Sequence, residues 1–157
     1  GRVHGAALGG GVGLVACCDI VVATERAKFG LTEVRLGIVP AVISPFVVAK
    51  IGVNHARRYF VTGEIFDAQT ACRIGLVSEV VADDEALDLK IGELTQSVTG
   101  NGPIAVKESK KLITEVTTRP REDALEYAVQ TIARLRVSKE GQEGLSAFLE
   151  KRKPGWR

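Results

Sequence analysis

The stretch Leu8-Gly9-Gly10-Gly11-Val12-Gly13-Leu14-Val15-Ala16-Cys17-Cys18-Asp19 is a glycine-dense turn that runs straight into an apolar helix. Four glycines in five positions let the backbone turn tightly and leave bare peptide for a ligand to lie against. Leu14 to Cys18 offer no polar face, so the helix is expected to be buried. Its first backbone N–H groups have no partner within the helix, and a buried helix start of this kind is a site for partial negative charge. The rest of the chain reads as scaffold around it.

Three readings of the turn compete. It can be close packing of a helix against a sheet. It can be a dinucleotide fingerprint, since Gly11-x-Gly13-x-x-Ala16 fits G-x-G-x-x-A and Glu25 ends the next apolar run. That fingerprint wants a longer helix, however, and Asp19 stops this one after about two turns. The third reading is an oxyanion hole, in which an amide of the turn binds a thioester or ester oxygen as it gains charge.

Working outward, Val3 to Leu8 reads as a strand entering the turn, Ile20-Val21-Val22-Ala23 as a second strand and Ala27-Lys28-Phe29-Gly30-Leu31 as a third. Thr32 to Pro40 is a connection. Pro45 is placed to start a helix that Gly52 ends, and Asn54 to cap the next, His55 to Thr62. Asp67 caps a short helix from Ala68 to Ile74, and Leu76 to Val81 is a strand. After Asp83-Asp84 only helical patterns follow, with Leu87, Ile91, Leu94 and Val98 on one stripe and Ala124, Ala128, Ile132 and Leu135 on another. Gly102-Pro103 and Arg119-Pro120 punctuate them. The layout is α/β over 1–82 and all-helical over 83–157.

With 157 residues, 45% hydrophobic, 25% charged and a net charge of +2, the chain has an ordinary globular composition. That balance gives no strong electrostatic argument for a nucleic-acid or membrane partner, and neither is expected. Cys17, Cys18 and Cys72 lack metal-ligand spacing and read as buried reduced thiols of a cytoplasmic protein. No metal site is expected. The chain contains no methionine and opens on Gly1-Arg2-Val3-His4-Gly5, so it reads as a piece of a longer protein.

Among the polar residues, Glu33 is the foremost candidate for proton transfer, because it lies in a connection between Leu31, Val34 and Leu36, where partial burial favours that role. A solvated turn residue is the alternative. Asp19 suits a local backbone bond, His4 a packed histidine and His55 a helix surface. Lys107 to Lys111 is a solvated face. Lys151-Arg152-Lys153 is either a solvated end or a phosphate clamp.

Taken together, Gly5 to Gly11, Cys18-Asp19-Ile20, Ala27-Lys28-Phe29-Gly30, Glu33, Gly37-Ile38-Val39-Pro40, Leu76-Val77 and Ala147 to Lys153 resemble the crotonase family of enoyl-CoA hydratases and isomerases. The resemblance runs over the whole chain and corresponds to the family's later portion. It implies the family's ββα spiral core over 1–82 and a helical region over 83–157 that covers the active site and mediates assembly into a trimer or hexamer. It also implies an acyl-CoA thioester as substrate, with coenzyme A entering as part of it and no covalently bound cofactor. Gly10 matches the backbone donor to the thioester oxygen, and a second donor would lie in an earlier segment. Glu33 matches the second of two catalytic carboxylates, whereas Gly13 stands where the first would be. Gly9, Gly11, Gly13, Pro40, Phe148 and Lys151 fall at positions lining the substrate and CoA, the last two in some members from a neighbouring subunit.

Within the family, Pro40 to Val48 and Ile132 to Gly144 are similar to methylglutaconyl-CoA and isohexenylglutaconyl-CoA hydratases, which implies a branched, carboxylated enoyl-CoA from leucine or terpene breakdown. One carboxylate suffices for double-bond isomerisation, so an enoyl-CoA isomerase is the alternative within the family. A catalytically silent CoA-binding or assembly module is the alternative from another class.

Overall fold

The computed structural model describes residues 1–156. The run from Val3 to Leu8 is two strands, β1 (Arg2–Val3) and β2 (Ala6–Leu8), which break at His4-Gly5 and enter different sheets. β1 pairs in parallel with β3 (Val22–Thr24), which pairs in parallel with β6 (Glu79–Val81). All three residues of β3 are buried, as expected of a strand enclosed on both faces. β2 pairs in parallel with β4 (Lys28–Gly30), and β4 pairs antiparallel with β5 (Ile65–Asp67).

The glycine turn follows β2 directly. Gly9 sits at φ +53 and ψ −120, a conformation that side-chain-bearing residues rarely adopt. Its N–H donates to the Gly30 carbonyl at 2.8 Å, which locks the turn to the end of β4. Helix α1 then runs Gly10–Cys17. Val12, Val15 and Ala16 are buried, but Leu14 is 74% exposed and Cys17 is exposed too. The expectation of a helix buried all round is therefore corrected, as is that of three buried thiols. An apolar composition on every side cannot say which face the sheet will cover, and here one face stays open.

The core of this first unit is Phe29, Leu31, Leu76, Val12 and Val47, all fully buried. Phe66 stacks on Phe29 at 6.0 Å between ring centroids and meets Tyr59 at 4.2 Å. Helix α2 (Ser44–Thr62) carries Pro45 in its first turn and is broken at Gly52, whose φ of 75 and ψ of 161 are not helical. The expected stop at Gly52 is thus a kink between two helical segments. Asp67 caps α3 (Ala68–Arg73) by accepting from Thr70 N at 2.8 Å. The unit extends past the last strand to Gly92 and takes in the first half of α4 (Asp84–Thr99), where Leu87 is fully buried.

The second unit, Glu93–Arg157, contains the rest of α4 and α5 (Pro103–Thr118), α6 (Arg121–Arg136) and α7 (Lys139–Leu149). The Glu140 carboxylate supplies the missing cap of α5, accepting from Ile104 N at 2.9 Å and Ala105 N at 2.7 Å. Ile113, Leu125, Val129, Ile132, Phe148 and Leu149 are exposed, so the helical stripes are only partly covered.

At the basic end, Arg152 is not simply solvated. It forks onto Glu143 at 2.6 and 3.0 Å and reaches Glu150 at 2.6 Å. The Arg152 guanidinium, followed by the Gly155 N–H, holds the Glu143 carboxyl at about 2, down from the ordinary 4.5. A carboxyl with a depressed folded pKa stabilises the fold above its ordinary value and stops doing so as pH falls toward the folded one. The stability difference between the parent and Glu143→Gln is accordingly expected to be full at pH 6 and to shrink from about 4.5 to about 2. Thermal melts across that range check it. A difference that stays constant would remove the pair from the stability of this end.

Candidate functional site

The parallel register of β2 and β4 assembles the site. Leu8 lies opposite Gly30, so Gly9 and the residues after Gly30 leave their strands side by side. Leu31 is fully buried and anchors the exit of β4, after which a 3-10 turn, Thr32–Leu36, raises Glu33 toward the glycine turn. Gly37, at φ 74, closes that turn with its N–H on the Val34 carbonyl at 3.2 Å, and Ile38 N donates to the Glu33 carbonyl at 3.3 Å. The Glu33 backbone is thereby fixed.

Its carboxylate lies against Gly9. A β-carbon placed on Gly9 would be 3.3 Å from Glu33 Oε1 and 3.9 Å from Oε2. Glu33 Oε2 is buried and has no hydrogen-bond partner among the described residues. Gly10 N–H and Gly11 N–H likewise donate to no acceptor among them, whereas Gly9, Val12 and Gly13 are bonded. Buried polar atoms are ordinarily paired. The unpaired Glu33 oxygen departs from that rule, and together with the unpaired amides of the exposed Gly10 and half-buried Gly11 that follow Gly9 it makes an arrangement able to receive a small polar group, with donors on one side and a proton acceptor on the other.

Gly13 lies one turn further into α1, its N–H reaching the Gly9 carbonyl at 3.4 Å. A β-carbon there would stand 2.2 Å from Ile43 Cγ2 and 2.7 Å from Ile43 Cβ. No carboxylate can be carried at this position while Ile43 stays in place. Leu14, Leu36, Val39, Val42 and Phe46 are exposed on the same unit.

The model for the enoyl-CoA hydratase/isomerase family matches residues 1–157. The chain belongs to this family. Its fold is that of the crotonases: an enoyl-CoA hydratase/isomerase (crotonase) crystal structure from Legionella pneumophila superposes with a TM-score of 0.91 at 44% identity, covering 98% of this chain and 59% of that one. Among curated relatives, the 2,3-dehydroadipyl-CoA hydratase of Escherichia coli is 34% identical over 99% of this chain and 61% of its own length. The mevalonyl-coenzyme A hydratase sidH of Aspergillus fumigatus is 39% identical over 99% and 58% respectively. The chain thus spans about three fifths of the length of the curated relatives it matches.

Of the residues singled out in this family member, the fold brings together Gly9, Gly10, Gly11 and Glu33. Pro40 is buried. Phe148 is the last residue but one of α7 at 80% exposure, and Lys151 follows the helix in a left-handed conformation at φ 56, both in the second unit. Ile43 is the residue that sequence reasoning passed over. Its signal was indirect: a glycine inside a helix that packs on α2 leaves room, and a branched neighbour is what takes it. Among the described residues, no group of three His, Cys, Asp or Glu side chains could hold a metal ion, and no helix is long and apolar enough to cross a membrane.

Proposed function

We propose that the protein is an enoyl-CoA hydratase that acts on a branched, carboxylated 2-enoyl-CoA thioester. The observation that carries this reading is the unpartnered Glu33 carboxylate oxygen lying against the glycine turn, beside the unpaired amides of Gly10 and Gly11. Gly10 N–H binds the thioester oxygen as the double bond is attacked and negative charge collects there. Glu33 takes a proton from the attacking water as its oxygen bonds to the β carbon, and the resulting Glu33 carboxylic acid delivers that proton to the α carbon, which regenerates the carboxylate. The net change is addition of one water across the double bond. Relatives named for 2,3-dehydroadipyl-CoA and mevalonyl-CoA support a family member with a functionalised acyl group. A cytoplasmic setting fits the three unpaired cysteines.

Closure of position 13 by Ile43 favours one further reading, an enoyl-CoA isomerase. There Glu33 alone removes a proton from the α carbon of a 3-enoyl thioester and returns it at the γ carbon. One assay separates them. Loss of the conjugated thioester absorbance from a 2-enoyl-CoA marks hydration, its gain from a 3-enoyl-CoA marks isomerisation, and neither change leaves a CoA-binding module.

The exposed apolar residues of α5, α6 and α7 support assembly into a homo-oligomer through the helical unit. The intact protein is expected to sediment as a trimer or hexamer at micromolar concentration, and Lys151→Ala to weaken CoA binding. A monomer with unchanged CoA affinity in the variant would count against both.

A further inference from the structure

Glu33 and Ile43 bracket the first turn of α1. The carboxylate stands over Gly9, and the branched side chain fills the space over Gly13. Gly13 N–H reaches the Gly9 carbonyl at 3.4 Å, so the two side chains stand over backbone one turn apart, with the free amides of Gly10 and Gly11 on the chain between them. Ile43 is held there on two sides. It precedes α2 as its N-cap residue, and it packs as a half-buried side chain against the core. Gly13 itself is buried, so this space is not solvent.

We infer that Ile43 is a specificity-determining residue: it takes the volume left by the bare Gly13 and sets an apolar, branched wall beside the proton-transfer position, which limits the acyl groups that fit next to Glu33. The inference rests on the proposed acyl-CoA site. It also changes what Gly13 means, because the room that a missing side chain would leave over α1 is already occupied by the protein. A hydrophobic wall discriminates by volume, and one methylene in such a pocket is worth about tenfold or more in preference. Removal of the Ile43 side chain should favour the bulkier acyl group.

The test uses the intact protein and two saturated, unreactive thioesters, butyryl-CoA and isovaleryl-CoA, with affinities read by calorimetry. Ile43→Gly is expected to raise the preference for isovaleryl-CoA by about tenfold, and Ile43→Val to stay near the parent ratio. Packing is checked separately. Gly13→Ala should lower the melting temperature in the parent but much less in the Ile43→Gly background, since the glycine removes both the Cγ2 and the Cβ that an added carbon would strike. An unchanged ratio in folded Ile43→Gly overturns the inference, and so does an equal Gly13→Ala penalty in both backgrounds. A shifted ratio with no turnover of any enoyl-CoA upholds the inference and sinks the proposed activity. Turnover with an unchanged ratio does the reverse. No binding of either thioester overturns both.

Discussion

Glu33→Gln lowers turnover of the preferred enoyl-CoA by about two to four powers of ten while acyl-CoA affinity stays near that of the parent. Glutamine keeps the shape of the side chain and its place over Gly9, but it cannot accept the proton that the reaction moves. The backbone of this position is fixed by the buried Leu31 on one side and the left-handed Gly37 on the other, so the substitution is not expected to rearrange the 3-10 turn. Because Oε2 has no hydrogen-bond partner among the described residues, no internal bond is lost. Stability should therefore be unchanged or slightly raised, since a buried neutral amide is less costly to desolvate than a carboxylate. Steady-state kinetics beside a thermal melt checks this. Equal rates in parent and variant would remove Glu33 from the mechanism.

Gly10→Pro is the companion experiment on the opposite side of the site. It is expected to cut turnover by about two to three powers of ten, the usual effect of losing one oxyanion donor. Proline at the first position of a helix is well tolerated because the N–H it lacks has no partner within the helix. Gly10 is that first position, its N–H is bonded to no described residue, and a β-carbon there meets nothing within 4 Å. The preceding residue must avoid the right-handed helical region, and Gly9 at φ +53 and ψ −120 already does. Fold and activity should thus separate: a melting temperature within a few degrees of the parent, with chemistry nearly gone and KM raised, because the ring occupies the place of the oxygen. Full activity in a folded Gly10→Pro protein would rule out the amide as the donor.

The pairing of these two variants also weighs the silent module against the enzyme. In a module that only binds CoA, Glu33→Gln has no rate to change, and Gly10→Pro disturbs affinity alone.

Much of the fold was legible because it depends on local chemistry. Asp67 caps α3 since a carboxylate three residues before a free N–H is held by that bond in any context. Pro103 opens α5, Gly52 interrupts α2, and the glycine turn ends β2 at the start of α1. The run from Val3 to Leu8 was less readable. Apolar periodicity marks extended backbone, but not the point at which Gly5 lets the chain pass from one sheet to another. Glu143 and Arg152 formed a bonded pair where the sequence showed a basic run, because the carboxylate comes from nine residues earlier, inside α7.

By itself the sequence determined the glycine turn and the choice of Glu33 as a candidate, which follow from residue type and near-neighbour spacing, and its resemblance to a known family pointed to the fold and to Gly10. The tertiary structure decided which face of α1 stays open, which oxygen of Glu33 is buried without a partner, and that Ile43, thirty residues along the chain from Gly13, fills the space over it. The reason is physical. Backbone preference and capping act over a few residues, whereas steric exclusion and burial act between segments that meet only when the sheets pair and the helices pack.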